Sequence, residues 1–420
     1  MGGSWVRRVL TGHNLPMTKS LVVAGGGIAG MAAGFAAVRA GWGATVLERA
    51  AVFSEVGAGV QLGPNVTRIL QAWGLGDALA QVAAFPSGLH ARSMTTGEVL
   101  ATLPLKDAAT HYGAPYVTLH RADLHGLLLQ AAEREGVQVH SDAAVYKVSQ
   151  SLNEVVFDLA QHGQPQQHTA AVAVAADGVW SPLRQQLLSD GLPTFTGHIA
   201  YRALVAQADL PVHLRSQDVS VWMGSQAHVV SYPVRGGAYL NVVCLAEGRL
   251  LEDDANHLQA LQTWNAKKSE AQTVAELNHA LRGACSKLTD LMAACNDWRL
   301  WPLCGRPAMQ GAHQHAQGRV ALVGDAAHPM LPYLAQGAGM AVEDAYELAA
   351  QLLGATVVNA PERLQQFAHA RWQRNARVQA RAVRNGRIFH AKGPMRVGRD
   401  MGLRLMGERL MDVPWLYGYR

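Results

Sequence analysis

The stretch VVAGGGIAGMAAGFAAVRAGWGATVLER, residues 22–49, decides the fold. An apolar run ends in Gly25, a helical pattern follows over Ile28–Ala40, and a second apolar run from Ala44 closes in Glu48. Gly25, Gly27 and Gly30 stand in GxGxxG spacing between strand and helix. The first permits a tight turn, the second lets a pyrophosphate approach the backbone, and the third lets helix and strand pack closely. The phosphates then meet a helix N-terminus, where free N–H groups and the dipole favour anions. Glu48, at the end of the second strand, is placed to accept hydrogen bonds from ribose hydroxyls. The unit reads as a dinucleotide site for FAD or NAD.

Outward from this stretch, AAVAVAADG from Ala170 and GRVALVGD from Gly318 read as further buried strands, and Leu124–Arg134 as a helix. Such runs, apolar on both faces, predict an α/β fold with a mostly parallel, Rossmann-like sheet. Between Ile199 and Ala246 the chain alternates in strand fashion, with a hairpin turning at Gly236 and Gly237. An inserted antiparallel-sheet domain is expected there, and helices at the C-terminus. The expected division is a FAD-binding domain over 17–85, 110–187 and 305–365, a substrate domain over 86–109 and 188–304, and C-terminal helices over 366–420. Residues 1–16, basic but without an apolar core, read as a disordered tail or an over-extended start rather than an export signal.

The 420 residues are 49% hydrophobic and 16% charged, with a formal net charge of +5. No run of about eighteen apolar residues is uninterrupted, so no membrane span is expected. Without a Lys/Arg run or an aromatic-interleaved basic patch, nucleic-acid binding is not expected either. The four cysteines show no CxxC spacing, which suits reduced thiols in a cytoplasm better than disulfides or zinc. The pairs His120/His125 and His313/His315 have no further ligands at suitable spacing, so no metal site is predicted. GAGVQLG, from Gly57, lacks the GxGxxG spacing and is expected to be a loop.

A second stretch, GRVALVGDAAHPMLPYLAQGAGMAVEDA at 318–345, also looks like a nucleotide site. FAD is long, and its ribityl chain and ring need contacts far from the phosphate cradle. Asp325, at a strand end, is placed to bind a sugar hydroxyl. A helix starting near Gly337 would aim its N-terminus at a flavin edge that becomes anionic on reduction. The two stretches are therefore expected to hold two ends of one cofactor.

With GxGxxG at Gly25, ADGVWSPLR carrying Asp177 and Gly178, and GDAAHPMLPYLAQGAG carrying Asp325, the sequence resembles the single-component FAD-dependent aromatic hydroxylases. The likeness is to the salicylate, 3-hydroxybenzoate and 6-hydroxynicotinate branch and covers nearly the whole chain after Met17. HRADL at Arg121 and DVPWLYGY near the C-terminus add to it. The resemblance implies NADH or NADPH as transient electron donor, dioxygen as co-substrate and a flavin hydroperoxide that hydroxylates a small phenolic acid or hydroxypyridine. It implies that Glu48 and Arg49 meet the adenosine end, Arg121 the cofactor, and Asp177 with Gly178 the pyrophosphate region. Asp325 would meet the ribityl chain, and Gln61, Pro332, Gly337, Ala338 and Gly339 the flavin region. Gln61 stands where the hydroxynicotinate enzyme has histidine, and Pro332 where some 3-hydroxybenzoate relatives have glutamine, so neither substrate is carried over.

Such chemistry needs a dry site and a group that helps a phenol ionise. His228 and Tyr232 are the candidates: four apart in a strand, they share a face about 13 Å apart, with the His-xxx-Tyr spacing of those relatives. Tyr333 is the third candidate, for the pocket wall, and Tyr201 and Arg202 could meet a carboxylate or the nicotinamide. No second GxGxxG argues for a separate NAD(P)H domain. Arg374, Arg377, Arg381 and Arg384 recur on one helical face, with Trp372, Ala376, Ala380 and Val383 on another, and read as a solvated basic stripe, the alternative being a dimer contact or weak attraction to an anionic membrane. The alternatives are a hydroxylase of a ubiquinone precursor or lipid-like ring, and a flavin-binding regulator without turnover. A monomer or homodimer is expected.

Overall fold

The computed structural model describes residues 18–53, 59–248 and 269–419; the N-terminal stretch 1–16 lies outside them. Six strands form one sheet in the spatial order Ala316–Gln317, Val320–Leu322, Val172–Ala175, Ser20–Ala24, Gly43–Leu47 and Gln138–His140. All neighbours run parallel except the first pair. The strands are apolar on both faces because both are covered. Helices Ile28–Arg39 and Gly337–Leu352 pack on one side through Met31, Phe35, Val342 and Leu348. A three-stranded sheet packs on the other, through Phe157 and Leu159.

A second sheet has seven strands in the order Arg299–Gly305, Thr194–Ala206, Tyr239–Glu247, Ala227–Val234, Val219–Met223, Gly88–Ser93 and Val99–Pro104. It is antiparallel apart from the join between Val219–Met223 and Gly88–Ser93. The hairpin turns where expected, with Gly236 and Gly237 at φ of 63° and 90°, a left-handed region that costs glycine nothing. The outer face of this sheet packs on helices Glu270–Ala280 and Ser286–Ala293. Its inner face looks toward the first sheet and the two glycine stretches.

Three local expectations are corrected. Gly59–Leu62 is a strand, paired antiparallel with Val117–His120, and not a loop; Gly57 itself lies outside the described residues. Four residues are too short a run for its alternation to register. The long helix spans Ala360–Phe389, so the boundary placed at 365/366 falls inside it. Its buried face is Arg371, Asn375, Val378, Ala382 and Asn385, whereas Ala380 and Val383 are exposed. The arginine stripe is only partly solvated: Arg374 binds Glu343, and the Arg374 and Arg377 guanidinium groups stack on Tyr419 and Trp415 at 3.8 and 3.9 Å. This contact gives DVPWLYGY its place, pinned against the body by Arg374, which also donates to the carbonyls of Trp415 and Leu416.

A charged network with no access to solvent fixes helix Gly337–Leu352. Arg371 donates to Glu343 at 2.8 Å and to Asp344 at 2.9 Å, all three side chains being fully buried. Asn65 and Arg374 complete Glu343; His328, Asn375 and the Gly324 N–H complete Asp344. Burial alone would raise the Asp344 carboxyl, but His328 and Arg371 hold it well below the usual carboxylate range. Removing one partner of such a network leaves a buried charge uncompensated. Arg371→Met should therefore cost about 3–5 kcal/mol of unfolding free energy in urea titrations; a loss within about 1 kcal/mol would show that the carboxylates do not depend on it.

Candidate active site

The glycine turn fits its expected geometry position by position. Gly25 has a φ of 103°, and a Cβ there would lie 2.4 Å from the Ala176 carbonyl oxygen. A Cβ on Gly30 would lie 1.8 Å from the Gly25 oxygen, whereas one on Gly27 would meet nothing within 4 Å. Gly25 and Gly30 are thus required by packing, and Gly27 faces open space at the start of helix Ile28–Arg39. Glu48 accepts from the N–H groups of Gly26 and Ala50 at 2.7 and 2.8 Å, which brings its carboxylate to the rim of the turn. His125, set aside as a metal ligand, buttresses the turn from behind, with Nε2 2.7 Å from the Gly26 oxygen. His120 caps the helix Arg121–Arg134, accepting from the Ala122 N–H. Among the described residues no group of three or more His, Cys, Asp or Glu could hold a metal ion.

Two cavities, of about 430 and 250 Å³, meet at this turn. The larger is lined by Gly25, Glu48, Arg49, Asp177 and Trp180, among others. The smaller is lined by Gln61, Val230, Tyr232, Val243, Leu245, Trp301, Asp325, Pro332, Gly337 and Ala338, among others. Gly27, Arg121, Ala176, Gly178 and Arg202 line both. The result is one channel, with the N-termini of two helices opening on it: Gly27 to Ala29 at one and Gly337 with Ala338 at the other. Gly337, like Gly27, leaves the space beyond it open. Gly339 does not line the channel; a Cβ there would lie 2.8 Å from Val66, so it serves packing between helices.

The inner face of the seven-stranded sheet forms the far wall, and strand register sets its pattern. Tyr232 pairs with Asn241, Val230 with Val243, and His228 with Leu245. Arg202 pairs with Val243 on the other side, and Ala200 with Trp301. Strand alternation then separates Tyr201 from Arg202. Tyr201 lies on the outer face, donating to Glu276, and takes no part in the channel. Arg202 lies over the Trp301 ring at 4.1 Å, and burial pulls its guanidinium down to about 9, still charged at neutral pH.

Tyr232 is buried against Gly59, where a Cβ would lie 2.5 Å from its ring. Burial raises its phenol above the ordinary value, although Arg202 and a hydrogen bond with Gln61 act the other way. Gln61 also accepts from Tyr116 at 2.7 Å. Burial raises Asp177 to about 6 and moves Asp325 in the same direction. Tyr333 does not line the cavity. It stands behind Pro332, its ring among His198, His228 and His390, and burial raises its hydroxyl too. His228 does not line the cavity either: it is 1% exposed, its ring lies against Tyr333, Phe389 and His390, and burial, then His390 and His198, holds it well below the ordinary histidine value. Sequence reasoning missed Val230, Val243, Leu245 and Trp301; counting alternate strand positions from Tyr232 reaches Val230, whereas Val243 is found only through its register with Arg202 and Val230 on the neighbouring strands.

The FAD binding domain family matches residues 17–383, and the chain belongs to this family. It is 34% identical over 407 residues to 3-hydroxybenzoate 6-hydroxylase 1 of Aquipseudomonas alcaligenes, covering 96% of this chain and 98% of that one. It is 32% identical to 6-hydroxynicotinate 3-monooxygenase of Pseudomonas fluorescens, with 95% and 94% covered. A solved salicylate hydroxylase substrate complex superposes with a TM-score of 0.78 at 25% identity, over 96% of each chain. The open cradle at Gly27, the carboxylate of Glu48 and the second helix end at Gly337 fit an extended dinucleotide such as FAD.

The two kinds of glycine separate by experiment. Gly27→Ala should leave the unfolding temperature of the FAD-free protein unchanged but weaken FAD about tenfold or more, read by fluorescence titration. Gly30→Ala should instead destabilise the FAD-free protein by about 3 kcal/mol. Equal effects on both quantities in both variants would contradict this division.

Proposed function

We propose that this chain is an FAD-dependent monooxygenase that uses NADH or NADPH and dioxygen to hydroxylate a small aromatic acid, phenolic or hydroxypyridine in type. The observation that carries the reading is the single channel shared by the two cavities, with a phosphate cradle at one end and an apolar, tyrosine-lined chamber at the other. Glu48 and Arg49 would hold the adenosine end, Gly25, Gly27 and Gly30 with Asp177 and Gly178 the pyrophosphate region, and Arg121 and Asp325 the middle. Gln61, Pro332, Gly337 and Ala338 would border the ring. When bound, FAD supplies hydride acceptance and oxygen activation, which no side chain can.

The residues of the chain do the rest. Val230, Val243, Leu245, Trp301, Met330 and Pro332 keep water from the smaller cavity. Arg202 has no carboxylate partner among the described residues, so its charge in the cavity wall suits an anionic substrate. Tyr232 keeps its proton at neutral pH and donates to the substrate oxygen. His228, on the same sheet face, is enclosed by Tyr333, Phe389 and His390 and lines neither cavity, so it backs the wall and does not meet the substrate. The four unpaired cysteines support a cytoplasmic setting. Among the described residues no helix is long and apolar enough to cross a membrane.

A second reading, hydroxylation of a lipid-like ring at a membrane surface, has one observation in its favour. Helix Gly393–Met406 exposes Met395, Val397, Met401 and Leu405 beside arginines. Sedimentation with anionic liposomes tests it.

With FAD-loaded protein, NADH and NADPH oxidation should be stimulated by one member of a panel of hydroxybenzoates and hydroxypyridines, with hydroxylated product matching the NAD(P)H consumed. Oxidation unstimulated by any member would favour the lipid-like ring or a regulator. Arg202→Met should raise KM for the aromatic acid roughly tenfold to a hundredfold while sparing its uncharged phenol analogue; equal effects on both would remove the anionic-substrate assignment.

A further inference from the structure

Gln61 stands in the wall of the smaller cavity with its side-chain amide shared between two tyrosines. Its Oε1 accepts from the Tyr116 hydroxyl at 2.7 Å, and the amide also hydrogen-bonds Tyr232, which lines the same cavity. Tyr116 lines neither of the two cavities. It is buried, its ring stands edge-on to Tyr417 at 6.3 Å, and Arg68 donates to the Tyr417 carbonyl at 3.2 Å. Strand pairing fixes this row of side chains. Gln61 lies opposite Thr118, and Thr118 donates to the carbonyl of Pro233, next to Tyr232. The Gly59 N–H donates at 2.8 Å to Asn241, which is itself paired with Tyr232. The two-stranded sheet that carries Gln61 is thereby locked to the strand that carries Tyr232.

From this arrangement we infer that Tyr116 is a positioning residue: it fixes the direction of the Gln61 amide, so that the Tyr232 hydroxyl presents its hydrogen, rather than its lone pairs, to the cavity. The inference rests on the reading of Tyr232 as the donor to the substrate oxygen. It adds a condition on the substrate. The atom that faces Tyr232 is an acceptor, either the ionised oxygen of a phenol or the carbonyl-form oxygen of a hydroxypyridine.

Hydrogen-bond accounting gives the direction. A side-chain amide has an acceptor end and a donor end of the same shape, so its neighbours decide which way it points. With Oε1 toward Tyr116, the buried Tyr116 O–H has its acceptor and Gln61 Nε2 donates to the Tyr232 oxygen. The O–H left over is that of Tyr232, at the cavity, where substrate or water can accept it. With the amide reversed, Tyr232 would donate to Gln61, and the Tyr116 O–H would lose its acceptor in a site sealed from solvent. An unsatisfied buried donor costs the full desolvation of the group, so the first direction holds. Burial, then Tyr417 and Tyr232, push the Tyr116 phenol well above its ordinary value, so it remains a donor at neutral pH. Arg202, the charged group that acts on Tyr232, can only donate and cannot take its hydrogen either.

The test uses FAD-loaded full-length protein and two chromophoric phenols, 3-hydroxy-4-nitrobenzoate and 4-hydroxy-3-nitrobenzoate. Absorbance reports the ionisation of the bound phenol as pH is varied. In the parent chain one of them should ionise at lower pH when bound than when free, since a donated hydrogen bond favours the phenolate. Tyr116→Phe removes only a hydroxyl and releases the amide, so the bound midpoint should rise by roughly one pH unit. Affinity for 4-nitrobenzoate, which has no phenol, should stay within about threefold of the parent. Tyr232→Phe should raise the midpoint at least as far, and adding Tyr116→Phe to it should move it no further, because the effect passes through Tyr232. An unchanged midpoint in Tyr116→Phe beside a raised one in Tyr232→Phe, or a further rise in the double variant, overturns the positioning role and leaves the Tyr232 reading intact. An unchanged midpoint in Tyr232→Phe, or no binding of either phenol to the parent chain, overturns both.

Discussion

The buried guanidinium of Arg371, held between Glu343 and Asp344, is the constraint on which the rest of the structure depends. Neither carboxylate could be buried without a partner, and both belong to the helix whose first residues, Gly337 and Ala338, open on the channel. Asp344 also accepts from the Gly324 N–H and binds His328, so the strand end that carries Asp325 is tied to the same charges. Glu343 reaches Asn65, just beyond the strand that carries Gln61. A single ionic cluster thereby registers the helix end, the Asp325 loop and the Gln61 strand against one another. Such clusters add little to stability compared with an apolar core of equal volume; here the gain is position.

The channel follows from a second constraint, the close approach of backbones at Gly25 and Gly30. Because those two glycines let helix Ile28–Arg39 and its strand meet the loop at Ala176, the space in front of Gly27 stays open. The seven-stranded sheet then closes that space with alternate residues of its inner face. Arg202 and Tyr232 are the polar members of this wall, and the aliphatic residues between them keep it dry. On the proposed reading, function on this scaffold depends on that polar minority, Arg202 to attract an anion and Tyr232 to donate.

Much of this was legible in the sequence, for reasons particular to each element. The glycine turn could be read because its conformational and packing demands exclude other residues, and the stretch at 318–345 because a strand, an acid and a second helix start follow one another within it. His228 and Tyr232 were placed on one face by counting in twos. The same counting separates Tyr201 from Arg202, so their pairing as site residues had to fail. The strand Gly59–Leu62 was too short to show a period. The inward face of the long helix was misplaced because its buried members, Arg371, Asn375 and Asn385, are polar, and no hydrophobic pattern marks a stripe that is buried through ion pairs. The enclosure of His228 by Tyr333, Phe389 and His390 joins residues far apart in the chain and was invisible to any local reading.

The most direct test of the central claim, that one FAD spans both glycine stretches, is a crystal structure of the protein with FAD bound. The account predicts the pyrophosphate at Gly27, the adenosine ribose on Glu48, and the flavin ring between Gly337 and the wall of Arg202 and Tyr232. A flavin placed outside the smaller cavity, or a cofactor that leaves the Gly337 helix end uncontacted, would contradict it.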